Sequence, residues 1–194
     1  MSPSIDLRPF SESDFEPLLE WIDSSAALLQ WAGPAFSYPL DRAQLREHLP
    51  EMTGTNPTQR AYKAVNKDDQ MVGYIELNGI EHNNRSGTIS RVLVDPDHRG
   101  QGIGTAIVQR VLEIGFEELN LHRIDLKVFE FNDTAIACYE RVGFTHEECL
   151  RDDRRDGDDY WSIIQMRILK DEWATGRSGR AGRSHGREGG RCER

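Results

Sequence analysis

The stretch that decides the fold reads Val92-Leu93-Val94-Asp95-Pro96-Asp97-His98-Arg99-Gly100-Gln101-Gly102-Ile103-Gly104-Thr105. An apolar, β-branched run ends at Asp-Pro, and three glycines follow at alternate positions. Ile103, Ile107, Val111 and Ile114 then recur at helical spacing. The pattern is a buried strand, a tight turn and a long helix. Glycines let backbone amides approach a ligand where a Cβ would obstruct. A helix start adds unpaired N–H groups and the positive end of its dipole. With Arg99 beside them, these groups suit a diphosphate. A P-loop would close on Lys-Ser/Thr, which is missing here, and the dinucleotide fingerprint spaces its glycines G-x-G-x-x-G. A turn whose glycines serve geometry alone is the remaining alternative.

Working upstream, Ser11 and Asp14 cap a first helix with Phe15, Leu18, Leu19 and Ile22 on one face. Ser25 to Trp31 is a second helical stretch, and a third begins at Asp41 and runs through Leu45 and Leu49 to Pro50. The period then changes. Ala61 to Val65 and Met71 to Leu77 read as strands joined by an Asn-Lys-Asp-Asp turn, and Thr88 to Val94 as the next strand. Downstream, Ile124, Leu126 and Val128 alternate, with Phe129 and Phe131 on the other parity, so both faces of that strand are expected to be buried. Asn132-Asp133 opens another helix that Gly143 ends, Arg151 to Asp159 reads as a hairpin-like loop, and Tyr160 to Leu169 as the last strand. These elements predict an α/β (α+β) domain: a mixed sheet with helices on both faces.

The chain has 194 residues with 37% hydrophobic and 29% charged residues, enough for one domain with a full core. No apolar run is long enough to cross a bilayer, MSPSIDLRPF lacks the features of a signal peptide, and the three cysteines show no paired spacing. A cytoplasmic location, no membrane partner and no disulfide framework are the expectations. Residues 1–174 are read as the domain, and 175–194 as a disordered Arg/Gly-rich tail. That tail holds six arginines and two glutamates, which leaves −13 of the net −9 on the preceding residues. Such an acidic body argues against DNA and favours a cationic partner.

The second informative segment is Asn132-Asp133-Thr134-Ala135-Ile136-Ala137-Cys138-Tyr139-Glu140-Arg141-Val142-Gly143-Phe144, one strand after the glycine turn. Here the chain resembles the GNAT superfamily of acyl-CoA-dependent N-acetyltransferases. The first motif, V-x-P-x-x-R-G-x-G-I-G, matches from Val94 to Gly104. The second, N-x-x-A-x-x-x-Y-x-x-x-G-F, matches at Asn132, Ala135, Tyr139, Gly143 and Phe144. The end of the body, through Met166-Arg167-Ile168-Leu169 to Glu172-Trp173, is similar to the RimJ/RimL-type branch, more loosely.

The resemblance implies a mostly antiparallel sheet splayed between its fourth and fifth strands, with acetyl-CoA in the splay. Main-chain groups of Val92, Leu93 and Val94 would pair with the pantetheine arm. Arg99, Gly100, Gln101, Gly102, Ile103, Gly104 and Thr105 would hold the diphosphate. Asn132 would contact the cofactor, or serve only as a helix N-cap. Tyr139 would protonate the leaving sulfur, the alternative being a core aromatic. The function implied is transfer of an acetyl group to a protein N-terminal α-amine or a small cationic amine by direct attack in a ternary complex. The alternative is a catalytically silent acyl-CoA-binding or regulatory module.

No general base is evident. Thr88 and Lys127 stand where related enzymes can carry a carboxylate, with Glu76 and Glu130 as substitutes, or a water chain. His82, His98, His122 and His146 show no metal spacing, so no metal is expected. The aromatic stretch containing Trp31, Phe36 and Tyr38 would line the acceptor cleft with Glu76, or cover the sheet as core. A monomer or a homodimer is expected.

Overall fold

A computed structural model describes residues 3–49 and 58–179. The strands are β1 (Asp6–Pro9), β2 (Arg60–Val65), β3 (Met71–Glu81), β4 (Ser86–Val94), β5 (Arg123–Phe129), β6 (Thr145–Asp156) and β7 (Asp159–Leu169). They form one sheet in the order β1-β2-β3-β4-β5-β7-β6. Every neighbouring pair is antiparallel except β4 and β5. The helices are α1 (Phe15–Trp21), α2 (Ser25–Ala32), α3 (Arg42–His48), α4 (Ile103–Glu113), α5 (Asp133–Val142) and α6 (Lys170–Gly179).

The two faces of the sheet bury two clusters. On one, Ile75, Leu77, Ile89, Ile124, Leu126 and Ile168 meet Ile107, Val108, Val111 and Leu112 of α4 and Tyr139 and Val142 of α5. On the other, Ala61 and Tyr74 meet Phe10, Phe15 and Leu18, with Leu45 of α3. Each buried aliphatic or aromatic side chain stabilises the fold by roughly 1.5–3 kcal/mol. The α4 stripe and the strand alternation thus select the same partners.

Close packing of α4 on β3 depends on Gly73. A Cβ there would stand 2.4 Å from Ile107 Cδ1 and 2.9 Å from the Leu93 carbonyl oxygen. Ile107 is fully buried and cannot swing away. Gly73→Ala is therefore expected to destabilise the protein by about 1–3 kcal/mol, which denaturant unfolding would register as a lower midpoint.

Three expectations need correction. Phe131 lies beyond β5 and is half exposed, and Lys127 is exposed, so only the Ile124, Leu126 and Val128 face of β5, with Phe129, is buried. Most of the segment read as a loop from Arg151 is strand: β6 continues to Asp156 and turns at Gly157, whose φ is +61°. Its charged residues misled the reading because this half of β6 is not a buried strand. Helix α6 carries the chain through Gly179, past the boundary drawn at residue 174, beginning with Asp171 and Glu172 in its first turn. Residues 180–194 lie outside the described residues. Cys138, in α5, is a free thiol.

Candidate active site

The parallel pairing of β4 with β5 covers only Ser86↔Arg123 to Ile89↔Leu126. Beyond that point the strands part. The outer half of β4 stays on β3, through Tyr74↔Leu93 and Gly73↔Val94. Its edge toward β5 is thus left without a strand partner, the condition under which an extended ligand can add to a sheet. The register shifts between Tyr74 and Glu76, and Arg91 takes a φ of +50° there. A left-handed residue in a strand marks a local irregularity that re-aims the chain.

The parting strands open a cleft of about 850 Å3. One end is walled by Arg99, Gly100, Gly102, Ile103, Gly104 and Thr105 of the glycine turn, with Asn132, Cys138, Tyr139 and Arg141 of the α5 segment. The other is walled by Trp21, Ile22, Trp31 and Pro34. Val92, Leu93 and Val94 line the wall between them. The two sequence motifs, 28 positions apart from Gly104 to Asn132, therefore meet across one space.

Gly100 and Gly102 have φ of +76° and +81°, conformations that other residues reach only with strain. Gly102 is the N-cap of α4 and presents no side chain to its first N–H groups. Those N–H groups and the helix dipole can receive an anion. Arg99 is held beside them by Nε donating to the Val94 carbonyl at 3.2 Å. A Cβ on Gly104 would meet Val94 and Cys138 only at 3.6 and 3.8 Å, so the space in front of it belongs to the cleft. This cradle fits a diphosphate. Gln101 turns away, its side-chain amide reaching the Asp97 carbonyl at 3.5 Å.

Asn132 is the N-cap of α5, its Oδ1 accepting from Ala135 N–H at 3.2 Å. The capping role is therefore present, and the amide still lines the cleft. Tyr139 is almost wholly buried and reaches the cleft from α5. Burial, reinforced by the neighbouring Cys138, pushes its phenol well above the ordinary value. The hydroxyl thus keeps its proton throughout the neutral range. Burial likewise raises the Cys138 thiol, against the opposing pull of Thr105 and Arg141.

The residues expected at the acceptor end separate. Trp31 lines the cleft, and its Nε1 donates to the Arg91 carbonyl at 2.9 Å. Phe36 stacks behind it at 5.9 Å and stands edge-on to His48, outside the lining. Tyr38 is half exposed, its hydroxyl donating to the Asp23 carbonyl at 2.9 Å. Glu130 lies outside the lining too.

Glu76 is fully buried and fully engaged. Its oxygens accept from Tyr74 Oη at 2.6 Å, Gln59 Nε2 at 3.0 Å, Asn78 Nδ2 at 3.0 Å and Arg91 Nη1 at 2.5 Å. His48 Nε2 lies 2.9 Å away. Burial pushes this carboxyl up, but His48, Arg91 and Tyr74 together outweigh it and hold it below the ordinary carboxylate range. So tied, Glu76 is neither open to the cleft nor a good proton acceptor. It anchors Arg91, whose position sequence reading missed because long-range ion pairs leave no local pattern.

Two outcomes follow from that anchor. Glu76→Gln leaves a mostly buried guanidinium without its counter-charge and is expected to cost about 3–5 kcal/mol in denaturant unfolding. Because the folded pKa is depressed, the contribution of Glu76 is present in full above the ordinary carboxylate range. It is lost as pH falls through the lowered value. An acid titration of wild type followed by circular dichroism should show that loss, and the Gln variant should lack it.

The class of protein is now defined. The sequence matches the acetyltransferase (GNAT) family over residues 25–144, and the chain belongs to it. It is an N-acetyltransferase that draws on acetyl-CoA. Among similar proteins, spermidine N(1)-acetyltransferase of Vibrio cholerae serotype O1 is 24% identical over 173 residues, 89% of this chain and 97% of its own. The enzyme of the same name from Escherichia coli K12 is 24% identical over 170 residues, covering 88% of each chain. The crystal structure of spermidine N-acetyltransferase from V. cholerae in complex with CoA and spermine superposes with a TM-score of 0.78 at 24% identity. It covers 88% of this chain and 98% of its own. Among the described residues, no helix is long and apolar enough to cross a membrane.

Proposed function

We propose that this chain moves the acetyl group of acetyl-CoA directly to a primary amine in a ternary complex, with Tyr139 as the proton donor to the leaving sulfur. The observation that carries the reading is the cleft between β4 and β5, which brings the glycine turn, the free strand edge and Tyr139 together. Val92, Leu93 and Val94 would hold the pantetheine arm as an added strand. Arg99 to Thr105 would hold the diphosphate, with Gln101 contributing main chain only, and Asn132 would contribute its amide nitrogen. Backbone N–H groups of the splayed strand would polarise the thioester carbonyl. The Tyr139 hydroxyl, protonated at neutral pH, then supplies the proton the thiolate needs.

The amine must arrive neutral, and with Glu76 occupied the proton leaves through water. The spermidine acetyltransferases among the relatives support a small amine as acceptor. The RimJ/RimL-type likeness of the C-terminal strands supports a protein N-terminal α-amine as the other class. Thiol release from acetyl-CoA, measured with polyamines, amino acids and short peptides, tests the reading. Amine-dependent release supports it. CoA binding without release for any amine would leave the silent module.

A further inference from the structure

The acidity of the body is not in the cleft. Among the described residues that line it there is no aspartate or glutamate, whereas Arg91, Arg99, Lys127, Arg141 and Arg154 all reach it. Arg99 and Arg141 stand at the diphosphate end. Arg91 is committed to Glu76, and Arg154 to Asp153 at 2.6 Å. Lys127 is different: its ammonium group has no ion-pair or hydrogen-bond partner among the described residues.

Its place in the sheet gives that ammonium a task. Ile89 and Leu126 form the last pair joining β4 to β5, so Ser90 and Lys127 are the first residues past the parting. Side chains alternate along a strand. Ile124, Leu126 and Val128 pack in the cluster with α4 and α5, so Lys127 projects from the opposite face. That is the face on which α1 and α3 pack, through Phe15, Leu18 and Leu45. Trp21, Ile22, Trp31 and Pro34 also line the cleft, and Gln30, Thr88 and Ser90 add polar side chains without charge.

A polyamine brings several positive charges, each of which needs a carboxylate or several carbonyls when it leaves water. This end of the cleft offers it an ammonium and a tryptophan-rich wall instead. We infer that the acceptor is a small amine that also bears a carboxylate and an apolar group, such as an apolar α-amino acid. Its carboxylate is held by Lys127 and its side chain by the aromatic wall. The inference rests on the transferase reading and narrows its substrate class.

The test uses the full-length protein and three acceptors: L-phenylalanine, its carboxamide and spermidine, compared by kcat/KM in amine-dependent thiol release. Wild type should prefer the acid over both others. A charge-assisted hydrogen bond implies an acid-to-amide ratio of about 10- to 100-fold. Lys127→Ala should bring that ratio near one, mainly through KM for the acid, and Lys127→Arg should retain most of it. Preference for spermidine or the amide in wild type would overturn the inference, as would an unchanged ratio in Lys127→Ala. Absence of release with every amine would instead overturn the transferase reading, and this inference with it.

Discussion

Tyr139→Phe is expected to lower the single-turnover rate of acetyl transfer by about a hundredfold or more, the range in which general-acid contributions fall. The ring should stay where it is. Its edge-on contact with Phe144 at 6.0 Å and its place in the core need no hydroxyl. Affinity for acetyl-CoA should therefore change little, so that the loss appears in the chemical step. Steady-state turnover shows less if product release limits wild type, which makes single-turnover kinetics the proper measurement. Because burial raises the phenol pKa, the wild-type rate should show no alkaline limb from Tyr139 below about pH 10. An unchanged rate in the Phe variant would reduce Tyr139 to a core aromatic.

Gly104→Val should remove CoA binding while sparing the fold. The new Cβ meets its protein neighbours only at ordinary contact distance, so the helix start tolerates it. The branched methyl groups then occupy the space in front of the first N–H groups of α4. Loss of two charge-assisted hydrogen bonds to the diphosphate corresponds to a fall in affinity of about a hundredfold or more. Calorimetry with CoA, beside a melting curve, checks both halves. Near-normal affinity with an unchanged melting temperature would remove the diphosphate from this turn. The contrast with Gly73 is instructive: there the missing Cβ makes room for Ile107, and the expected damage is to stability.

What the sequence made legible was local and periodic. The α4 stripe, the Ser11 and Asp14 cap and the glycine turn each depend on residues within a few positions of one another, and each is present where the pattern places it. The parallel β4–β5 pair and its parting were legible only through the resemblance, because no residue in either strand marks where pairing stops. Strand β1 was missed since Asp6-Leu7-Arg8-Pro9 is too short for its alternation to register and ends in proline. It is held by pairing to β2. The Glu76 network joins residues from α3, β3 and β4 with Gln59, and Glu76 read from sequence as an ordinary carboxylate. Phe36 and Tyr38 looked equivalent to Trp31 in sequence. Only the packing puts Trp31 on the cleft wall, with Phe36 behind it and Tyr38 turned toward Asp23.

The free thiol of Cys138 sharpens the question of direct transfer, because it lies in the cleft next to Tyr139 and 3.4 Å from Thr105 Oγ1. An acetylated cysteine intermediate would give a two-step route. The raised pKa of this thiol disfavours the thiolate such a route needs. Initial rates of thiol release, with the amine varied at several fixed acetyl-CoA concentrations, separate the two. Direct attack in a ternary complex predicts double-reciprocal lines that intersect. Parallel lines, the signature of a covalent acetyl-enzyme, would contradict it.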